Sequence, residues 1–184
     1  MRIISGKYKG RKIYAPINIS ARPTTDFAKE GLFDLLINRI DLEGIDVLDL
    51  FAGTGSIGFE FVSRGCNKVV SIETDKNQCA FIRKVVSDLK IDNLFLFRAD
   101  VFKYIASTHT QYDMIFADPP YLLKNIAEIP DLIFSYHLLK PNGIFVLEHS
   151  AKYNFQQHPH FVEQRSYGKV NFTFFKENPS KKIF

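Results

Sequence analysis

The stretch that most constrains the fold is Asp46-Val-Leu-Asp49-Leu-Phe51-Ala-Gly53-Thr-Gly55-Ser-Ile-Gly58. Its first half is a short apolar run bounded by acids, the pattern of a parallel strand covered on both faces. The glycines then turn the chain, and Ile57, Phe61 and Val62 begin a helical period. Strand, glycine turn and helix together form a ligand corner. Glycine tolerates positive φ and lets a ligand approach the backbone, and the helix N-terminus offers free N–H groups. Gly53, Gly55 and Gly58 satisfy G-x-G-x-x-G, and Glu73 lies where an acid can accept the hydroxyls of a ribose. By itself the corner implies a nucleoside-containing cofactor and does not say which.

A second motif narrows the choice. In Asp113-Met-Ile-Phe-Ala-Asp118-Pro119-Pro120-Tyr121 another buried strand runs into two prolines, which can neither continue a helix nor donate to a sheet. In an open α/β sheet ligands sit at the carboxyl ends of the strands, so this rigid loop is expected to face the glycine corner. The pairing of Asp49-x-Phe51-x-Gly53-x-Gly55 with Asp118-Pro119-Pro120-Tyr121 resembles the S-adenosylmethionine-dependent amino-methyltransferases, which methylate exocyclic amines of bases.

The chemistry expected of the loop follows from the amine. Its lone pair is delocalised into the ring, so acceptors that engage its N–H groups restore density on nitrogen. Asp118 can supply a carboxylate oxygen and Pro119 a backbone carbonyl held in place by proline's fixed φ, a preorganised electrostatic pair. Pro120 stiffens the turn, and Tyr121 offers a ring on which an extruded base can stack. Positioning of the amine in line with the methyl group is the main contribution, without a strong base.

The other acids at strand ends fit the same cofactor. Lys68 to Glu73 reads as a strand, Asp75 caps a helix running to about Lys90, and Asn93 to Asp100 reads as a third strand. Asp49, Glu73 and Asp100 then project from one edge of the sheet. Glu73 is assigned to the ribose, Asp100 with Val101 to the adenine end, and Asp49 to bracing the glycine turn or meeting the methionine ammonium. Thr24, Thr25 and Asp26 are N-cap candidates for a helix through Phe27, Leu32, Phe33, Leu35 and Leu36. Many amino-methyltransferases place such a segment beside the methionine end, which adds Thr24 and Thr25 to the expected cofactor site.

The remaining segments complete an α/β reading. A helix is expected from about Asn125 to Leu139, then a strand from Ile144 to Glu148. Phe161 to Tyr167 and Lys169 to Lys176 alternate around Gly168 as an antiparallel hairpin. The expected architecture is a Rossmann-like, seven-stranded, mainly parallel sheet closed by that hairpin, over residues 21–177. Residues 1–20 form a small β-hairpin extension, and 178–184 a tail.

The 184 residues suffice for one domain, and 46% hydrophobic with 24% charged residues is a globular composition. No apolar run approaches the roughly 20 residues that span a bilayer, so a cytoplasmic protein is expected. Cys66 and Cys79 match no metal spacing, and neither do His109, His137, His149, His158 and His160, so no metal is expected. Arg2, Lys7, Lys9, Arg11, Lys12 and Arg22 all precede the first acid, Asp26, while the remainder holds 18 basic against 20 acidic residues. With Tyr8 among the lysines, that end is read as an RNA-binding surface that pairs phosphates and stacks on a base.

Arg2-Ile-Ile-Ser-Gly6 with Gly10-Arg-Lys12, Arg22-Pro-Thr24 with its helix, and the two motifs above occur in the order found in one family. Over nearly its whole length the chain resembles the bacterial small-subunit ribosomal RNA guanine-N2 methyltransferases, the RsmD family. The resemblance implies methylation of one guanine in 16S ribosomal RNA, on an assembled or assembling small-subunit particle, with the free RNA as the other candidate substrate; a monomer is expected. One departure is Gly31, where the family usually has alanine, at about 1 kcal/mol of helix propensity. The residues leave other readings open: an adenine-N6 methyltransferase of DNA or RNA, a nicotinamide-binding oxidoreductase, and a non-catalytic RNA-binding module.

Overall fold

The computed structural model describes residues 1–16 and 26–177. Seven strands form one sheet in the order β3-β2-β1-β4-β5-β7-β6. They are β1 (Asp46–Leu50), β2 (Lys68–Glu73), β3 (Leu94–Arg98), β4 (Tyr112–Ala117), β5 (Leu139–His149), β6 (Phe161–Tyr167) and β7 (Val170–Phe175). The first five run parallel, and β7 lies antiparallel between β5 and β6. The expected hairpin and mainly parallel sheet are both present.

Helices cover the two faces. On one side α1 (Asp26–Ile37), α2 (Ser56–Ser63) and α3 (Lys76–Asp88) bury Leu32, Phe61 and Ile82 against Val47, Val69 and Phe116. On the other, α4 (Val101–Ser107) and α5 (Ile129–Ser135) bury Ile105 and Ile133 against Leu48, Ile115 and Leu147. Such double coverage is why the β1 and β4 sequences read as continuous apolar runs instead of alternating ones.

Several boundaries differ from expectation. The helix placed at 125–139 is a 3₁₀ turn (Ile126–Glu128) and the two-turn α5, because Pro130 suits only a first helical turn. Strand β5 starts at Leu139, five residues early. Lys140-Pro-Asn-Gly143 is carried into it through a register irregularity, with Asn142 at φ 67°. Helix α4 had no counterpart among the expected elements.

The amino-terminal extension is smaller as a β structure, and more firmly attached, than the sequence suggests. Its two arms meet at a single antiparallel bridge, Arg2 with Lys12, and Ile3 and Ile13 are buried in the main core. The fully buried Glu60 of α2 accepts the Ile4 and Ser5 N–H groups at 2.9 and 3.1 Å. The Lys7 and Tyr8 N–H groups donate to the Ser63 carbonyl and Oγ at 2.7 and 2.9 Å. Gly6 is required at this seam, since a Cβ there would lie 1.7 Å from the Ser63 carbonyl oxygen. Beneath it, the buried Lys29 reaches Glu60 (3.7 Å), the Arg2 carbonyl (2.6 Å) and Ser56 Oγ (3.2 Å).

Gly31 is also not a neutral departure. A Cβ there would meet the ring of Tyr167, so its absence makes room for packing between α1 and the carboxyl-terminal hairpin. Cys66 and Cys79 are buried and free, and burial pushes the Cys66 thiol up to about 12, as fits a packing residue. Among the described residues no helix is long and apolar enough to cross a membrane.

Candidate active site

The site lies at the carboxyl ends of β1, β2, β4 and β5. Strand β1 leaves the sheet through Phe51, whose φ of 61° is unusual for a bulky residue, and the turn continues through Gly53 (φ 57°) and Gly55 (φ 78°). At Gly55 the need is also steric, because a Cβ would lie 2.9 Å from the Phe59 ring. Gly58 lets α2 approach the strand end: its Cβ would be 3.2 Å from Asp49 Oδ2. The glycine corner is tied to the proline loop directly, as the Asp118 N–H donates to the Leu50 carbonyl at 3.4 Å. That bond brings the two motifs, about 65 residues apart in the chain, to one place.

Between them is a cavity of about 470 Å³, within the range of small-molecule sites. Of the expected residues it is lined by Asp49, Phe51, Gly53, Glu73, Asp118, Pro119, Pro120 and Tyr121. Gly55, Asp100 and Val101 do not line it. Gly55 shapes the turn, and Val101 is buried with the α4 and α5 core. Asp100 N-caps α4 by accepting the Lys103 N–H at 3.0 Å, the same work that Asp75 does for α3. Thr24, Thr25 and Arg22 lie outside the described residues.

The acids divide by what they hold. Glu73 accepts the Gly53 N–H at 2.7 Å on one oxygen and the Thr74 and Asp75 N–H groups at 2.7 and 2.8 Å on the other. Glu73 thus braces the glycine turn at Gly53, while Asp49, expected to brace the turn or meet the methionine ammonium, lies against Gly58 at the start of α2. Asp49 is buried, its Oδ2 has no hydrogen-bond partner among the described residues, and burial and the neighbouring Asp118 push its carboxyl up to about 8. Burial holds Asp118 at about 7.

In the loop, the Pro120 carbonyl accepts the Leu123 N–H at 2.8 Å and closes the turn. The Pro119 carbonyl takes no backbone hydrogen bond among the described residues, leaving it as an acceptor beside Asp118. Tyr121 is half exposed at the rim, followed by the almost fully exposed Leu122.

Other lining residues were not among those expected, and Glu148, Lys169 and Val170 lie farthest along the chain from the two motifs. Glu148 ends the apolar run Ile144 to Leu147 as Asp49 and Glu73 end theirs, so the strand-tip rule could have found it. Lys169 and Val170 reach the cavity from the β6–β7 turn, for which local sequence carries no signal.

On the basic extension, Lys7, Lys9, Arg11 and Lys12 are exposed and form no ion pair among the described residues. Arg2 is matched by Glu30 at 3.0 Å and Asp26 at 3.8 Å. The Tyr8 ring is half-buried against the core, with the Lys7 ammonium 5.2 Å from its centroid.

This strand order, glycine corner and proline loop define a class I methyltransferase. A family model described as Conserved hypothetical protein 95 matches residues 1–176, and the chain belongs to that family. The chain is 32% identical over 154 residues to the ribosomal RNA small subunit methyltransferase D of Buchnera aphidicola, covering 84% of this chain and 78% of that one. It is 33% identical over 156 residues to Bacillus subtilis YlbH, covering 83% and 84%. Among solved structures, Escherichia coli yhhF superposes with a TM-score of 0.84 at 26% identity over 97% of this chain and 98% of that one.

Proposed function

We propose that the protein transfers a methyl group from S-adenosylmethionine to the N2 amine of a guanine in 16S ribosomal RNA, acting as a cytoplasmic monomer on the RNA or its small-subunit particle. The observation that supports this is that Asp118 and Pro119, brought beside the glycine corner by the β1–β4 pairing and the Asp118 N–H bond to the Leu50 carbonyl, both line its cavity, where a carboxyl and a backbone carbonyl can serve as acceptors. Those acceptors suit the two hydrogens of an exocyclic amine. The Buchnera relative, named for small-subunit ribosomal RNA, supports that RNA as the source of the base.

The donor set suits this cofactor. Asp49, Glu73, Asp75, Asp118 and Glu148 line the cavity with only one cation among them, Lys169, so the lining is rich in oxygen acceptors that suit a ligand with an ammonium and a sulfonium. When bound, the cofactor supplies an electrophilic methyl group on sulfur. The chain's own residues orient the amine: Asp118 and Pro119 accept its hydrogens, Tyr121 stacks on the base, and the exposed lysines and arginine of the extension pair with RNA phosphates. A nicotinamide dinucleotide suits the cavity poorly, since its pyrophosphate would find one lining cation, Lys169, and the Gly53 N–H is already taken by Glu73.

The test is incubation with methyl-labelled cofactor and small ribosomal subunits from cells lacking the protein, followed by nucleoside analysis. N2-methylguanosine is expected; label in N6-methyladenosine, in DNA, or nowhere would sink the proposal.

A further inference from the structure

Three glutamates are buried, and they differ in what they hold. Glu60 accepts two backbone N–H groups and pairs with Arg64 at 2.9 Å, and Glu73 accepts three backbone N–H groups. Glu148, only 4% exposed, has a wholly buried Oε2 with no hydrogen-bond partner among the described residues. A buried carboxyl without partners costs free energy that the fold does not recover, and such groups call for a ligand or a reaction to explain them.

Its position says which. Strands β4 and β5 run parallel with Ala117 opposite Leu147, so Asp118 and Glu148 come next, side by side at the strand ends. By strand alternation both stand on the sheet face of Phe116 and Val146, and both line the cavity. The other charged groups lining it are Asp49 from β1, Glu73 and Asp75 from the end of β2, and Lys169 from the β6–β7 turn.

Resting on the guanine reading above, we infer that Glu148 is the second base-reading group of the pocket: while Asp118 and Pro119 engage the N2 amine, a Glu148 carboxyl oxygen accepts the N1–H beside it. Guanine carries those two donors on adjacent atoms. Adenine carries a donor amine next to a bare ring nitrogen, which asks for a donor where guanine asks for an acceptor. Two neighbouring acceptor oxygens therefore match the donor pair of the guanine edge. Burial and the Asp118 charge hold Glu148 up at about 9, so at neutral pH it is uncharged and acts through its carbonyl oxygen. No proton passes to or from it in this role, and the amine's proton leaves elsewhere.

An uncharged acceptor can be imitated by an amide, which separates this role from a base or a structural charge. The experiment compares wild type, Glu148→Gln and Glu148→Leu on small subunits from cells lacking the protein, with kcat/KM and nucleoside identity read out. Calorimetric binding of S-adenosylhomocysteine reports that each variant retains its cofactor site. Glu148→Leu should lose roughly ten- to a hundredfold in kcat/KM, the size of one base-edge contact, while Glu148→Gln stays at least about fivefold above it. Should Glu148→Leu match wild type, or Glu148→Gln fall as far as Glu148→Leu, the assignment is overturned while N2-methylguanosine from wild type leaves the proposed function standing. N6-methyladenosine from wild type would remove both.

Discussion

The ring of Tyr167 occupies the space a side chain at position 31 would need: a Cβ on Gly31 would lie 2.2 Å from Tyr167 Cε1, and the Tyr167 hydroxyl donates to the Gly31 carbonyl at 3.3 Å. Through this contact, and the edge packing of Phe27 on the same ring, α1 holds the hairpin whose turn brings Lys169 to the cavity. Gly31→Ala gains about 1 kcal/mol of helix propensity but must displace the ring. In the wild-type background it should destabilise, and in a Tyr167→Ala background it should stabilise by about 1 kcal/mol. A urea-denaturation double-mutant cycle checks the change of sign.

Asp118→Ala should lower methyl transfer by roughly 10² to 10³-fold, the scale of losing one preorganised electrostatic group, and leave binding of S-adenosylhomocysteine nearly unchanged. Asp118 accepts best when ionised, and burial holds its carboxyl at about 7. Single-turnover transfer should therefore climb as pH rises through about 7; a rate flat from pH 6 to 8 contradicts the assignment.

Stability of the cofactor-free protein should run the opposite way. Burial first, and neighbouring acids second, hold Asp49 at about 8 and Glu148 at about 9, against ordinary values of 3.8 and 4.5. Between those limits the folded chain binds more protons than the unfolded chain, so stability is full below the ordinary values and is lost as pH rises through the folded ones. The melting temperature should fall from pH 5 to pH 9, and less steeply in Glu148→Gln.

Glu60→Ala should cost about 3–5 kcal/mol, because it strands the buried Lys29 and frees the Ile4 and Ser5 N–H groups. Burial already depresses the Lys29 ammonium, with Glu60 as its main opposing charge. Denaturant unfolding measures the loss, and hydrogen exchange should show residues 1–16 opening first.

Replacing Lys7, Lys9, Arg11 and Lys12 by glutamine should weaken RNA binding and flatten its salt dependence, by up to roughly 0.7 in log–log slope for each lost phosphate contact. Cofactor affinity should not move, since none of the four lines the cavity. A salt slope equal to wild type would place the RNA elsewhere.

Both motifs were legible in the sequence because their chemistry is local. A strand that must run into three glycines, and one that must stop at two prolines, are set by allowed backbone angles whatever surrounds them. The β-hairpin at the carboxyl end was legible for the same reason, through alternation around Gly168. Asp75, expected to cap α3, does so and also lines the cavity, while Asp100, expected at the adenine end, caps α4 through Oδ1 and does not line it. The two acids have the same local sequence pattern, an acid after a strand and before a helix, so only their placement relative to the cavity separates them.

The sequence alone determined the order of the seven strands of the sheet, the glycine corner and the acid-proline-proline loop, because each follows from torsion limits and apolar patterning within about a dozen residues. Tertiary structure decided which oxygens are free. Glu73 accepts the Gly53, Thr74 and Asp75 N–H groups, Glu60 those of the amino-terminal extension, and Glu148 Oε2 none among the described residues. A carboxyl's availability depends on donors brought to it from distant parts of the chain, and strand pairing across β4 and β5 is what sets Glu148 beside Asp118.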